Sequence, residues 1–289
     1  FMLGQSYMDG DWRVPPGGLL PLLEVLMRNF SIETAGWRGK AWRLLLAPLQ
    51  QWNRARASRR NVSRHYDLDY DMFRQFLDED MQYSCAYFAE PDMTLEQAQR
   101  AKCEHIRRKL LLTPGQRVLD IGCGWGGLAM HLAEQADVHV TGLTLSTEQY
   151  RIAQERVRQR GLTGKVDIRL EDYREHQGEY DRIVSVGMFE HVGVPFYQRY
   201  FDLIRARMPT HGVALIHTIG RRTPPGLTNS WIRRYIFPGG YIPAMSETMA
   251  AVERSGLVCA DVEVLRRHYA LTLQQWLARF EAVRDEWVR

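Results

Sequence analysis

The residues with the clearest chemical potential are glycines near the middle of the chain. Residues 117–121 form a short apolar run that breaks into Gly122, Gly124 and Gly127, after which residues 128–133 show the apolar spacing of a helix. This order predicts a buried parallel strand followed by a turn that lets a ligand approach the backbone. A turn that serves packing alone is the simpler alternative.

Two classes of cofactor fit such a turn. The glycine spacing satisfies the G-x-G-x-x-G pattern of dinucleotide sites, which is weak evidence by itself. A nicotinamide site also needs an acidic residue at the end of the second strand to hold the ribose, and residues 138–145 end without one. The order Asp120-x-Gly122-x-Gly124-Trp125 instead resembles the first motif of S-adenosylmethionine (SAM) methyltransferases, and we favour SAM over NAD.

Strand and helix patterns alternate around this turn, which predicts an α/β fold with a doubly wound, Rossmann-like methyltransferase sheet. Ligands of such sheets bind outside the carboxyl ends of the strands, where Glu190 and His217 fall. The strands are predicted at residues 117–121, 138–145, 165–170, 180–187, 212–219 and 257–265.

Other elements are predicted to complete the site. Thr94 and Gln97 form a capping box that begins a helix. A second helix begins at Ser146, with amide groups that can face a nucleoside. The acidic end of the third strand can accept a hydrogen bond from an adenine amino group. Residues 220–243 are rich in Pro, Gly and aromatic residues and form either a lid or acyl-binding wall, or a loop packed on the sheet edge.

Composition sets the broad class of protein. The 289 residues are 45% hydrophobic, enough for a full core in one large domain or in one domain with an appendage. The four cysteines show no metal or disulfide spacing, so we expect a reducing cytoplasm and no metal. We identify neither a transmembrane run nor a signal peptide.

The mild net charge of +4 is concentrated near the amino terminus. We expect residues 1–62 to form a helical, lipid-surface domain and residues 63–289 the catalytic domain. Apolar stripes beside arginines favour peripheral association with anionic lipid on the inner face of the cell membrane. A solvated arginine face on a small helical domain is the alternative. Nucleic acid binding lacks a motif. The basic residues are Arg38, Lys40, Arg43, Arg54, Arg56, Arg59, Arg60 and Arg64.

Five motifs, taken together, resemble the cyclopropane-fatty-acyl-phospholipid synthases, and the mycolic-acid cyclopropane synthases share much of the set. The resemblance covers nearly the whole chain, and five motifs in order are far more specific than any one of them. They are YSCAY at 83–87, DIGCGWGG at 120–127, FEHVG at 189–193, HTIG at 217–220 and YIFPG at 235–239.

The resemblance implies a reaction. A methylene group from SAM is added across a cis double bond of a phospholipid acyl chain, and S-adenosylhomocysteine is released. An alkene is a poor nucleophile, so it must be held in line with the sulfonium methyl in a dry site. Methyl transfer leaves a carbocation that the faces of Tyr83, Tyr87 or Tyr269 could stabilise.

The resemblance also implies residues for each role. Bicarbonate bound by Cys85, Glu190, His217, Ile219 and Tyr269 would remove the proton that closes the ring, with Cys85 and Ile219 acting through backbone groups. The positions implied for SAM are Tyr83, Ser84, Gly122, Gly124, Trp125, Gly126, Thr144, Leu145, Gln149 and Asp172.

The sequence departs from the family at two points. Tyr70 stands where an asparagine is usual, and the chain ends at Arg289, before the family's closing helices and last strand. We therefore expect a longer polypeptide or a disordered tail. Other functions stay open: a lipid methyltransferase that does not close a ring, an enzyme acting on a soluble alkene or amine, or a non-catalytic lipid-surface protein. A homodimer would help a basic surface to hold a membrane.

Overall fold

The computed structural model describes residues 2–14, 18–29 and 70–287. A five-stranded parallel sheet in the order β3-β2-β1-β4-β5 forms its centre. The strands are β1 (Arg117–Ile121), β2 (His139–Thr144), β3 (Val166–Leu170), β4 (Arg182–Val186) and β5 (Val213–His217). The described helices are α1 (Met2–Met8), α2 (Leu19–Asn29), α3 (Tyr70–Phe76), α4 (Leu95–Lys109), α5 (Gly127–Ala136), α6 (Thr147–Gln159), α7 (Tyr197–Ala206), α8 (Ser230–Tyr235), α9 (Met245–Ser255) and α10 (Arg266–Trp287).

Helices cover both faces of the sheet. Neighbouring residues of β1 point to opposite faces, so Val118 packs with α4, α5 and α6, while Leu119 packs with α7 and α9. Both residues are buried. Because each face buries apolar side chains, the strands appear in the sequence as nearly continuous apolar runs.

A third apolar cluster caps the carboxyl ends of the strands. Phe73 of α3 packs against Tyr83 and Trp125, with ring centroids 5.1 and 5.3 Å apart, and Trp276 of α10 joins the same cluster. The aromatic segment before α4 is therefore partly core, and it carries Tyr83 to the edge of the sheet where ligands bind.

The predicted sixth strand at residues 257–265 is wrong. This segment has no regular secondary structure, and Val258 and Val264 are 89% and 69% exposed. Its alternating pattern suits a strand, but a strand needs a hydrogen-bonding neighbour, and within the described residues β5 pairs with β4 alone. Ion pairs hold the segment instead, as Glu263 contacts Lys109 at 2.8 Å and His105 at 2.7 Å.

The insertion at residues 220–243 contains the short helix α8 and lies against the amino-terminal helix. Tyr235 donates a hydrogen bond to Gln5, and a side chain added at Gly4 would meet the Trp231 ring at 2.8 Å. The insertion thus packs on α1 as well as lying beside the sheet.

The proposed 1–62 domain is only partly described. Helix α2 buries none of its residues, and the arginine-rich stretch and second apolar group at residues 38–64 lie outside the described part of the chain. Among the described helices, none combines the length and apolar character required to cross a bilayer.

Candidate active site

The glycine turn connects β1 to α5 at the carboxyl edge of the sheet. The amides of Gly122 and Cys123 both donate to the Leu143 carbonyl at 2.9 Å, which ties the turn to β2. Gly122 has φ +85°, and a Cβ there would lie 2.9 Å from the Met188 side chain, so only glycine fits. A Cβ at Gly124 would meet nothing within 4 Å, which leaves room for a ligand over the turn.

A cavity of about 140 Å³ lies over this turn, and we call it the donor cavity. Eight of the ten residues implied for SAM line it: Tyr83, Ser84, Gly122, Gly124, Trp125, Thr144, Leu145 and Gln149. Gly126 and Asp172 do not. Gly126 precedes α5 with φ +81°, and the buried Asp172 carboxylate pairs with Arg174 at 2.7 Å. The neighbouring Glu171 lines the cavity.

Hydrogen bonds fix the polar residues at the end of β2 and the start of α6. Ser146 caps α6 by accepting a hydrogen bond from the Gln149 amide at 3.1 Å. Thr144 Oγ1 donates to the Gln149 side-chain oxygen at 2.8 Å, which leaves the NH₂ group of Gln149 to donate to a ligand. The donor cavity is thus pre-organised on the β2 side.

A much larger cavity, the acceptor cleft, has a volume of about 1780 Å³. All five residues implied for bicarbonate line it, namely Cys85, Glu190, His217, Ile219 and Tyr269. The two cavities share four lining residues: Tyr83, Ser84, Gly187 and His191. They therefore meet at the carboxyl ends of β1, β4 and β5.

Glu190 is buried in a short 3-10 turn (Phe189–His191) after β4. Its Oε1 accepts a hydrogen bond from the Ile219 amide at 2.6 Å, while Oε2 has no hydrogen-bond partner among the described residues. Burial raises the pKa of this carboxyl group, which favours the protonated form. A protonated Glu190 can donate a hydrogen bond to an anion.

His217 is the last residue of β5. Its carbonyl accepts from the Gly187 amide at 3.0 Å, and its Nδ1 has no partner within the described part of the chain. Burial, together with the positive charge of Lys102, lowers the pKa of the imidazole to about 4. The ring is therefore neutral at physiological pH and can hold an oxygen ligand without carrying a charge.

Tyr269 and Cys85 close the cleft from α10 and from the loop before α4. Burial raises the pKa of the Cys85 thiol to about 11 and that of the Tyr269 phenol, so both stay protonated near neutral pH. A thiol of this kind is not an activated nucleophile. The loop is fixed to α10 because Thr272 Oγ1 accepts a hydrogen bond from the Ala86 amide at 3.0 Å.

Of the three tyrosines considered for carbocation stabilisation, Tyr87 is the least suited. Its ring stacks on His105, with centroids 4.4 Å apart, and on His268, with centroids 4.9 Å apart, and both pairs are nearly parallel. Imidazole rings thus occupy its faces. All three tyrosines line the acceptor cleft, and Tyr83 and Tyr269 remain candidates.

Known proteins are similar to this chain in sequence and in fold. The family model described as mycolic acid cyclopropane synthetase matches residues 53–289. The cyclopropane-fatty-acyl-phospholipid synthase of Escherichia coli (strain K12) is 42% identical over 294 residues, 98% of this chain and 72% of that protein. The chain belongs to the mycolic acid cyclopropane synthetase family.

Two further similarities refine this placement. A probable fatty acid methyltransferase of Pseudomonas putida is 45% identical over 228 residues, 76% of this chain and 58% of that protein, so the chain spans little more than half the length of this relative. The structure of mycolic acid cyclopropane synthase CmaA1 complexed with SAH and CTAB has a TM-score of 0.74 and 39% identity, and covers 79% of this chain and 85% of that one.

The family resemblance and the methyltransferase-type α/β fold predicted from the sequence are therefore confirmed. The roles of the individual site residues stay predictions that the geometry makes specific.

Sequence reasoning missed several polar residues that line the two cavities. Asp120 lines the donor cavity, its Oδ2 has no partner among the described residues, and burial raises its pKa to about 7. Glu171 and His191 also line the donor cavity, and Lys102 lines the acceptor cleft. The position of Asp120 before the glycines was a usable signal, whereas Lys102 looks like any other cation of an amphipathic helix.

Proposed function

We propose that this chain transfers a methylene group from SAM across a cis double bond of a phospholipid acyl chain, forming a cyclopropane fatty acid. Bound bicarbonate is the general base in this proposal. The observation that carries it is the meeting of the donor cavity with an acceptor cleft in which Glu190 and His217 keep buried polar atoms free for a ligand.

The donor cavity suits SAM. Glycine backbone lies beneath it, and the Gln149 amide and the Glu171 carboxylate offer polar contacts to a nucleoside. When bound, SAM supplies an electrophilic sulfonium methyl group. Tyr83 and Ser84 line both cavities, so they would lie next to the path of methyl transfer from SAM to the alkene.

The acceptor cleft suits an acyl chain. It is larger than a typical small-molecule pocket of about 300–1,000 Å³, and apolar residues of β5 and α9 contribute much of its wall. An apolar wall excludes water, which protects a carbocation from hydration. CmaA1, a structure similar to this chain, is complexed with SAH and CTAB.

The residues near Glu190 fit bicarbonate. That anion supplies a base small enough to reach the transferred methyl group. Glu190 Oε2 and His217 Nδ1 are two of the buried polar atoms that have no hydrogen-bond partner in the described chain, and Ile219 holds the Glu190 carboxyl group through its amide. The raised pKa of Glu190 removes the conflict between a carboxylate and a neighbouring anion, because the protonated carboxyl group donates to it.

A methyltransferase that does not close the ring is the second candidate. The 45% identical relative from Pseudomonas putida is called a probable fatty acid methyltransferase, which favours this alternative. Both reactions share the donor cavity and the carbocation, and they differ in which proton is lost.

Mass spectrometry of the product separates the two reactions. Purified protein would be incubated with SAM carrying a trideuterated methyl group and with vesicles of cis-monounsaturated phosphatidylglycerol. Ring closure keeps two deuterium atoms in the product, and methylation keeps three. An unmodified acyl chain under conditions where SAM binds would contradict both proposals.

We further propose that the chain works at the cytoplasmic face of the membrane, bound to anionic phospholipid through its 1–62 domain. The exposed apolar residues of α2 support this, since Leu20, Val25 and Met27 are 58%, 57% and 76% exposed. A homodimer would double the lipid-binding surface, and light scattering of the purified protein tests for it.

A further inference from the structure

One lysine is buried where the two cavities meet. Lys102 lies in the middle of α4 and is only 2% exposed. Its Nζ donates hydrogen bonds to Ser84 Oγ at 2.8 Å and to Gln82 Oε1 at 2.7 Å. Ser84 lines both cavities, Gln82 lines the donor cavity, and Lys102 itself lines the acceptor cleft.

The Lys102 ammonium has no carboxylate within ion-pair distance in the described part of the chain. Both of its hydrogen-bond acceptors are neutral, and an ammonium group has a third donor. The buried Asp78 and Asp120 carboxyl groups act on Lys102 from beyond that distance, but burial still lowers the pKa of Lys102, so a nearby anion would stabilise its charged form. Lys109, the last residue of the same helix, shows how a lysine is usually paired, because the carboxylates of Asp261 and Glu263 form ion pairs with it.

The charge of Lys102 acts on both cavities. On the donor side it opposes the effect of burial on the pKa of Asp120. On the acceptor side the same charge lowers the pKa of the His217 imidazole and opposes the effect of burial on the pKa of the Cys85 thiol. Both residues line the acceptor cleft with Glu190. A buried cation whose field reaches these groups would also stabilise an anion bound among them.

We propose that the Lys102 ammonium is the counter-charge for the small oxyanion bound beside Glu190 and His217. This inference rests on the proposed function, in which that oxyanion is the general base. A protonated Glu190 and a neutral His217 orient an anion by hydrogen bonds but offer it no positive charge. Lys102 supplies that charge. In the reaction, a C–H bond of the transferred methyl group breaks, its electron pair forms the second ring bond, and the proton passes to the oxyanion.

The test measures bicarbonate binding without turnover. [¹³C]Bicarbonate is titrated into the SAH-bound protein in carbon-dioxide-depleted buffer, and its Kd is obtained from ¹³C NMR line widths. We expect Lys102→Gln and Lys102→Met to weaken binding about 10-fold or more, the range for a lost hydrogen bond to a charged group. SAH affinity should change less than 2-fold in Lys102→Gln, whose amide can still donate to Ser84 and Gln82, and should fall in Lys102→Met, which leaves both without a donor. Lys102→Arg keeps the charge and should keep most of the affinity.

The control is Lys165→Met, which removes a lysine whose ion pair with Asp137 lies at the amino ends of the strands. Bicarbonate affinity should not change in this variant. Turnover against bicarbonate concentration gives a second readout, and the apparent KM for bicarbonate should rise in Lys102→Gln.

The outcomes separate the two proposals. If the wild-type protein neither binds bicarbonate nor responds to it, the general base has been misassigned and the role of Lys102 falls with it. If the wild type binds bicarbonate and Lys102→Gln binds it equally well, only the role of Lys102 is overturned. In that case Lys102 positions Ser84 and Gln82 through hydrogen bonds that glutamine can replace. If Lys102→Met does not fold, the Gln and Arg variants decide between charge and position.

Discussion

Glu190 gives the most specific prediction for a single residue, because one of its carboxyl oxygens accepts a hydrogen bond and the other has no partner among the described residues. The Ile219 amide occupies Oε1, and the buried Oε2 faces the site without a partner among the described residues. A glutamine can keep the first interaction but cannot carry the ionisable proton that the raised pKa of Glu190 retains.

We therefore expect Glu190→Gln to bind SAM within 2-fold of the wild type and to lose turnover by about 100-fold or more, the scale of a lost acid–base group. Calorimetry gives the SAM affinity, and lipid mass spectrometry gives the turnover. Glu253→Gln changes an exposed carboxylate on α9 and is the matched control. Unchanged turnover in Glu190→Gln would remove this residue from the mechanism.

His217 predicts how stability depends on pH. Its pKa is about 4 in the folded protein, below the ordinary 6.5, so the unfolded chain binds the proton more readily between these values. The stabilisation is complete above pH 6.5 and is lost as the pH falls towards 4. Denaturant unfolding should show the wild type losing about 2–3 kcal/mol more than His217→Gln over this interval. Parallel stability curves for the two proteins would contradict the burial of a neutral imidazole.

At the scale of elements, the loop before α4 and helix α10 form the wall between solvent and site. The loop brings Tyr83, Ser84 and Cys85 to the two cavities, and Lys102 of α4 holds the loop by a hydrogen bond to Ser84 Oγ. Thr272 of α10 also holds the loop. Thr272 is fully buried, and its Oγ1 accepts a hydrogen bond from the Ala86 amide. The geometry of the shared wall thus depends on two side chains outside the motif itself.

Thr272→Val tests this attachment. The substitution keeps the shape of the side chain and leaves the buried Ala86 amide without its acceptor, which costs about 1–3 kcal/mol. We expect a lower thermal midpoint and weaker SAM binding, both from movement of Tyr83 and Ser84. Thr163→Val alters an exposed threonine before β3 and should change neither quantity. The attachment would be unimportant if Thr272→Val behaved like its control.

At the scale of the whole molecule, the catalytic sheet and the amino-terminal helices have different surfaces. The sheet buries its apolar residues on both faces, whereas α2 exposes a row of them. An exposed apolar helix, in a chain that we propose acts on phospholipid, is typical of a membrane-surface contact.

Leu20→Glu combined with Met27→Glu should abolish sedimentation with anionic phospholipid vesicles, because Leu20 and Met27 lie two helical turns apart on one face and two charges there oppose insertion into the lipid interface. SAM affinity should not change, since α2 does not line the donor cavity. Leu111→Glu, at an equally exposed leucine before β1, serves as the control. Full vesicle binding by the double variant would assign the lipid contact to another surface.

The sequence by itself determined the central sheet and the family. An apolar run that breaks into glycines has few structural solutions, and five ordered motifs are too specific to arise by chance. All five predicted strands from residue 117 to residue 219 are present, with ends that differ by a few residues. Local pattern was sufficient there because β1, β2 and β4 are mostly buried between helices, and β3 and β5 pair directly with β2 and β4.

Only the tertiary structure decided how the site is assembled. The sequence pattern at 257–265 suits a strand, yet strand formation depends on a distant hydrogen-bonding neighbour that no local pattern records. Tyr87 carries the same ring as Tyr83 and Tyr269, but two histidines from distant parts of the chain stack on it. Lys102 gains its significance from burial between two cavities, and burial is set by long-range packing rather than by the residues beside it in the sequence.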